Sequence, residues 1–175
     1  MEIIIRSIWS AREECLNSCS LKMLRQFELL RNFHGTLKKW YKLGRSRKTS
    51  YSDVNTGDES TIRKILEKSV LYTDIPRKPM PTLGWRIDLW NGENKSNTAK
   101  ISVKCGGYDK VMSIDVIPNM SLLVLGNWES TKIDKDAFFA LMVAIHKLWH
   151  AEQSYCEIDG VVVKSFRGPG LKNLY

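Results

Sequence analysis

Two runs of alternating side chains constrain this chain more than any other feature. In the first, Trp85, Ile87 and Leu89 alternate with Arg86, Asp88 and Trp90. In the second, Ala99, Ile101, Val103 and Cys105 alternate with Lys100, Ser102 and Lys104. A period of two sends each alternate set to one face of a strand. Residues 91–97 between the runs read NGENKSN, a polar turn. The runs therefore predict an antiparallel hairpin, with Trp90, Lys100 and Lys104 on the face opposite Trp85 and Ile101. Such a hairpin needs other segments to cover its apolar face.

Helices are the expected cover. Leu16, Cys19, Met23, Phe27 and Leu30 recur at three- and four-residue steps and predict a helix over about 11–33. Ser10 and Glu13 form a capping-box pattern before it, and Gly35 is its expected stop. A second helix is expected from Asp58 or Ser60, burying Ile62, Ile65, Leu66 and Val70. A third, over about 135–151 with Asp134 as its cap, buries Phe138, Leu141, Met142, Ile145, Leu148 and Trp149. Further strands are expected at 2–9, 111–117, 122–125 and 160–165. Pro76, Pro79 and Pro81 interrupt regular structure before the hairpin and read as a crossing between layers.

The order strand, helix, helix, several strands, helix predicts an α+β fold, with an antiparallel sheet packed against about three helices. One domain is expected over 1–175, with its core at about 2–165 and a frayed tail at 166–175. A chain of 175 residues can build such a core without metal or disulfide. Cys15, Cys19, Cys105 and Cys156 are therefore read as reduced, buried, small apolar groups. There is no run of about 18 apolar residues to span a membrane. The N-terminal MEIIIRSIWS has neither a basic region nor a small-residue cleavage site, so a cytoplasmic location is expected.

Charge is unevenly placed. The chain carries a net charge of +8, with 16 Lys and Arg against 9 acids in residues 1–79 and 11 against 10 in the remainder. Lys38, Lys39, Lys42, Arg45, Arg47 and Lys48 form a cluster with no acid among them, interleaved with Trp40, Tyr41 and Tyr51. A field of this sign draws in anionic partners. Cations mixed with aromatics suit single-stranded nucleic acid through stacking and charge. They equally suit a protein interface anchored by Trp, Tyr and Arg. A third reading has Trp40 and Tyr41 pinning a loop to the core while the cations stay solvated.

Catalytic patterns are weak. His146 and His150 lie four apart on the third helix, with Glu152 nearby, and could face a metal together. The zinc-protease pattern needs glutamate directly after the first histidine, where this chain has Lys147. The pair is therefore read as a polar helix edge, and no metal or cofactor is expected. No G-x-S-x-G elbow and no phosphate-binding G-K-S/T follows any strand. His34 reads as a helix-end cap, and Asp109 and Asp115 as solvated turn residues. These readings point to a protein that binds rather than catalyses.

Three segments in order resemble the immunity protein 52 family of bacterial polymorphic toxin systems. They are the basic stretch Trp40, Tyr41, Gly44, Ser46, Arg47 and Lys48, then GWRIDLWNG (84–92), then AKISVKCG (99–106). The resemblance covers about 10–155. It implies an α+β fold, a cytosolic location and a partner toxin, usually a restriction-endonuclease-like nuclease, neutralised by binding. It supplies no contact residues. From charge and aromatic content, the expected toxin contacts are Lys38, Lys39, Trp40, Tyr41, Arg45, Arg47, Lys48, Trp90, Lys100 and Lys104. A basic chain does not imitate nucleic acid, so an acidic patch on the toxin is the expected counterpart. The alternative is a nucleic-acid-binding module that uses 38–51.

Overall fold

The structure is a computed structural model that describes residues 1–42, 53–72, 78–108, 119–128 and 134–168. Among these residues the chain forms eight strands and three α-helices. In chain order they are β1 (Ile3–Trp9), α1 (Leu16–Phe33), β2 (Trp40–Lys42), β3 (Asp53–Val54), α2 (Glu59–Glu67), β4 (Trp85–Trp90), β5 (Thr98–Cys105), β6 (Asn119–Gly126), α3 (Lys135–Trp149), β7 (Gln153–Ile158) and β8 (Val161–Arg167). Short 3-10 turns occupy Gly35–Leu37 and Pro81–Leu83. The strands make one antiparallel sheet in the order β3-β2-β4-β5-β6-β1-β7-β8. The architecture is the α+β arrangement that the alternation predicts.

The hairpin forms with the expected register. Ile87 lies opposite Val103 and Leu89 opposite Ile101, all four buried. Trp90 lies opposite Lys100, and Arg86 opposite Lys104, on the other face. The buried face continues through Leu123 and Leu125 of β6 and Ile3, Ile5 and Trp9 of β1. Against it pack Met23, Phe27 and Leu30 of α1, Ile62 and Leu66 of α2, and Phe138, Leu141 and Ile145 of α3. Side chains of this size are each worth about 1.5–3 kcal/mol when fully buried, so this layer dominates the fold. Trp9 and Trp149 stack at 4.9 Å between ring centroids and join β1 to α3.

Five polar side chains buried beside this layer, with the indole N–H of Trp149, pair with one another. Gln26 donates through Nε2 to Ser121 Oγ at 2.7 Å and accepts from Trp149 Nε1 at 2.6 Å. Ser154 Oγ donates to Ser7 Oγ at 2.7 Å, and His146 Nδ1 lies 2.9 Å from Ser154 Oγ. Such satisfied networks fix one packing out of several an apolar core would allow.

Several sequence expectations need correction. The first helix begins at Leu16, not near residue 11, and Cys15 takes its cap position, with Sγ accepting from Ser18 N–H. Ser10 and Glu13 do not cap it. Instead Arg12 donates through its guanidinium to Trp149 O and to His150 O, and its backbone N–H donates to Gly107 O. A capping side chain is worth about 1 kcal/mol, whereas each bond from a charged donor is worth about 1.5–3 kcal/mol. The long-range bonds therefore hold residues 10–15 out of the helix. Cys15 is exposed, against the expectation of burial, while Cys19, Cys105 and Cys156 are buried. Burial pushes the Cys156 thiol up to about 11.

Trp40 belongs to a strand and not to a loop. β7 is a strand that the sequence reading missed, and β8 runs to Arg167, two residues past the expected strand end at 165. The expected strand at 111–117 lies outside the described residues, as do 169–175 of the expected tail and 73–77 of the proline segment.

Candidate functional site

The basic segment is built by its two apolar ends. Leu37 and Trp40 are both fully buried, and Trp40 Nε1 donates to Leu37 O at 2.9 Å. Lys38 and Lys39 between them are exposed. Trp40 faces Val54 in the core, so the next residue, Tyr41, turns to the outer face of the sheet. There Tyr41 lies beside Trp90, with ring centroids 6.3 Å apart, and Trp90 lies beside Lys100. Tyr41, Trp90 and Lys100 thus form one cross-strand row.

Two shallow clefts flank the lysine pair. One, of about 400 Å³, lies between Lys38, Lys39 and Tyr41 on one side and Asn91, Gly92 and Glu93 on the other. The second, of about 380 Å³, lies between the same lysines, Arg31 and residues 53–57. Each cleft has a carboxylate at its wall, Glu93 in the first and Asp53 in the second. Among the described residues cations outnumber acids in both.

The first cleft depends on the segment GWRIDLWNG. Gly92 sits at φ +82°, and a Cβ there would lie 2.6 Å from Tyr41 Cε2, so glycine both permits the turn and seats the tyrosine ring. Gly84, at the other end, is also at φ +82°, and its Cβ would lie 2.3 Å from Cys105 O. Between them Asn91 is buried. Its Nδ2 donates to Asn97 O at 2.8 Å and Thr36 O at 3.4 Å, and its Oδ1 accepts from Ala99 N–H at 2.8 Å and Glu93 N–H at 3.3 Å. Asn91 therefore ties the hairpin turn to the 3-10 turn that carries the lysines.

The expected contacts separate into groups. Lys38, Lys39, Tyr41, Trp90 and Lys100 come together at one end of the sheet. Trp40 is a core residue with no exposed surface. Lys104 is only 6% exposed, opposite Arg86 and Met120. Burial, and secondarily the Arg86 charge, push its ammonium below the ordinary lysine value. Arg45, Arg47 and Lys48 lie outside the described residues. Asn91, Glu93, Asp53 and Arg31 complete the clefts and were missed. The signal for the first two was the NG pair in the hairpin motif, read only as a turn.

The histidine pair does not converge. His146 faces the core, 5% exposed, with its ring edge on Phe166 at 4.5 Å; it is not on a polar helix edge. His150 is exposed and has turned into the left-handed region at φ 46°, where it ends α3. His34 caps as expected, with Nδ1 accepting from Thr36 N–H. Among the described residues no three His, Cys, Asp or Glu side chains gather as metal ligands. Also among them, no helix is long and apolar enough to cross a membrane. The clefts offer charge, stacking surface and hydrogen bonds.

A comparison with curated proteins found no match. The model of the family described as Immunity protein 52 matches residues 5–171, which takes in every strand and helix described here apart from the first two residues of β1. That span is nearly the whole chain and contains the hairpin, the lysine turn and both sheet edges: the chain belongs to the Immunity protein 52 family.

Proposed function

We propose that the chain protects its cell by binding a cognate toxin through the face made by Lys38, Lys39, Tyr41, Trp90 and Lys100. Family membership gives the toxin-immunity role. The observation that supports the location is the exposed Lys38–Lys39 pair shared by two clefts, one of them walled by Tyr41, whose ring lies beside Trp90, in a chain of net charge +8. Aromatic anchors ringed by charge are the usual composition of an energetic interface. The counterpart is an acidic surface on the toxin. In a restriction-endonuclease-like nuclease the metal-binding acids of the active site supply one, and covering them blocks the cleft without imitating the substrate. We place this encounter in the cytoplasm.

Co-expression with the toxin encoded beside the gene tests the reading. The wild-type chain should co-purify with that toxin and restore growth. The double reversal Lys38→Glu, Lys39→Glu should weaken the complex about ten-fold or more, about 1.4 kcal/mol, while leaving thermal stability near wild type. No complex, or a complex indifferent to the reversal, would sink the assignment. The Tyr41–Trp90 pair beside lysines also fits a single nucleic-acid strand, and that second reading requires binding to an oligonucleotide that weakens steeply with salt.

A further inference from the structure

The sheet ends differently at its two edges. Among the described residues β3 closes one edge with two. β8 closes the other with seven, Val161–Arg167, every one exposed. Val161 is 64% exposed, Val162 55% and Phe166 39%. Among the described residues no strand pairs with the outer side of β8. The hydrogen-bond alternation identifies the backbone groups that face that side. Gly168 N–H donates to Glu152 O at 2.9 Å, so by alternation Phe166 and Lys164 bond inward to Ser154 and Cys156. The N–H and C=O of Ser165 and Arg167 therefore point away from the sheet.

A long apolar edge is a template for another strand. The valines favour an extended partner, because β-branched side chains pack best on a pleated surface. Lys164 and Arg167 restrict which partner. A second copy of the chain would arrive with the same net charge of +8 and the same edge cations. An extended segment bearing carboxylates and apolar residues meets no such opposition. Phe166 is held against His146, and Lys164 Nζ lies 5.8 Å from the Phe139 ring centre, so both side chains are already positioned.

We propose that β8 is a strand-addition site for an extended, acidic and apolar segment of the toxin. The segment's backbone pairs with Ser165 and Arg167, its apolar side chains meet Val162 and Phe166, and its carboxylates meet Lys164 and Arg167. The proposal rests on the toxin-binding reading and adds a second contact to it. β2 and β8 are six strand spacings apart in the sheet, about 30 Å at about 4.8 Å per strand. A toxin that uses both sites spans the sheet from edge to edge.

Hydrogen exchange of the full chain, alone and with the toxin encoded in the adjacent gene, tests this. The amides of Ser165 and Arg167 should exchange freely in the free chain and slow about ten-fold or more in the complex. Ser165→Pro removes an outward N–H and leaves the ladder to β7 intact, so it should keep the fold and weaken the complex about ten-fold or more. Val162→Glu, at an exposed position, should do the same by repelling the acidic segment, and serves if the proline variant misfolds. A complex formed without protection of 161–168, or binding unchanged in these variants, overturns strand addition and leaves toxin binding standing. A wild-type chain that binds no toxin overturns both. Protection in the free chain at every concentration assigns the edge to the chain's own residues. Protection that rises with concentration, with a doubled mass in sedimentation, assigns it to a second copy. Either result overturns the proposal.

Discussion

His146 is a core residue at a position where the spacing to His150 reads as an exposed edge. Its ring bonds to Ser154, which bonds to Ser7, so α3, β7 and β1 meet at one buried hydrogen-bonded chain. Burial pushes its pKa below the ordinary 6.5. As pH falls below that value the unfolded chain takes up a proton that folded His146 does not. The stability it contributes is thus fully present above the unfolded value and declines as pH drops toward the folded one. His146→Gln keeps a donor for Ser154 and removes the titration. Urea midpoints at about pH 8 and about pH 5.5 should differ less in the variant than in the wild type, with the variant lower at the higher pH. An unchanged pH slope would show that other groups carry it. Trp40, expected as a contact, likewise turns inward, while its neighbour Tyr41 turns outward. In an isolated basic segment nothing decides which of two adjacent aromatics turns inward. That choice is made by the pairing of Trp40 with Val54 and Tyr41 with Trp90, contacts made across the sequence.

Elements with strong periodicity were legible, and those whose interior is not apolar were hidden. The β4–β5 hairpin and α3 carry long alternating or helical patterns, and Asp134 caps α3 as read, accepting from Asp136 and Ala137 N–H. β7 offers no such pattern. Its inward residues are Ser154 and Cys156, alternating with Gln153, Tyr155 and Glu157, so hydrogen bonds to Ser7 and His146 replace the apolar stripe. Of β2 and β3 only three and two residues are among those described, too few to display a period. The hairpin's lock was also hidden, because an asparagine in a turn is ordinarily solvated. Asn91 has partners for both its oxygen and its nitrogen, and losing them strands buried backbone groups. Asn91→Ala should cost about 2–3 kcal/mol. Asn91→Asp, which turns a donor into a carboxylate facing Thr36 O and Asn97 O, should cost more. Chemical denaturation checks the order, and toxin affinity should fall with it, since Lys38 and Lys39 ride on the tethered turn. An aspartate variant as stable as wild type would contradict the assigned donor direction.

At the scale of the whole molecule, charge sign was readable and charge position was only half so. Seven of the eight excess cations fall in residues 1–79, and the exposed part of that excess includes the Lys38–Lys39 turn. The sequence also marked the outer face near Trp90, and the register places Lys100 there. It did not show that Lys104, two steps along the same face, is buried, because burial depends on what covers a strand and not on the strand's own alternation. The sheet thus presents a cationic, aromatic end near β2 and an apolar edge at β8, and on the proposed reading the two govern different steps of association. Long-range attraction acts before contact and is screened beyond about 10 Å at 0.1 M salt and about 3 Å at 1 M. Backbone pairing and valine burial act after contact and are little screened. Raising salt from about 0.05 to about 0.5 M should therefore slow association with the toxin about ten-fold or more and change dissociation by less than about three-fold. Lys38→Glu, Lys39→Glu should flatten the salt dependence of association, whereas Ser165→Pro should speed dissociation and leave that dependence unchanged. Stopped-flow measurements on the variants and wild type separate the two. Equal effects of both variants on both rates would mean that the two ends of the sheet do not divide the work in this way.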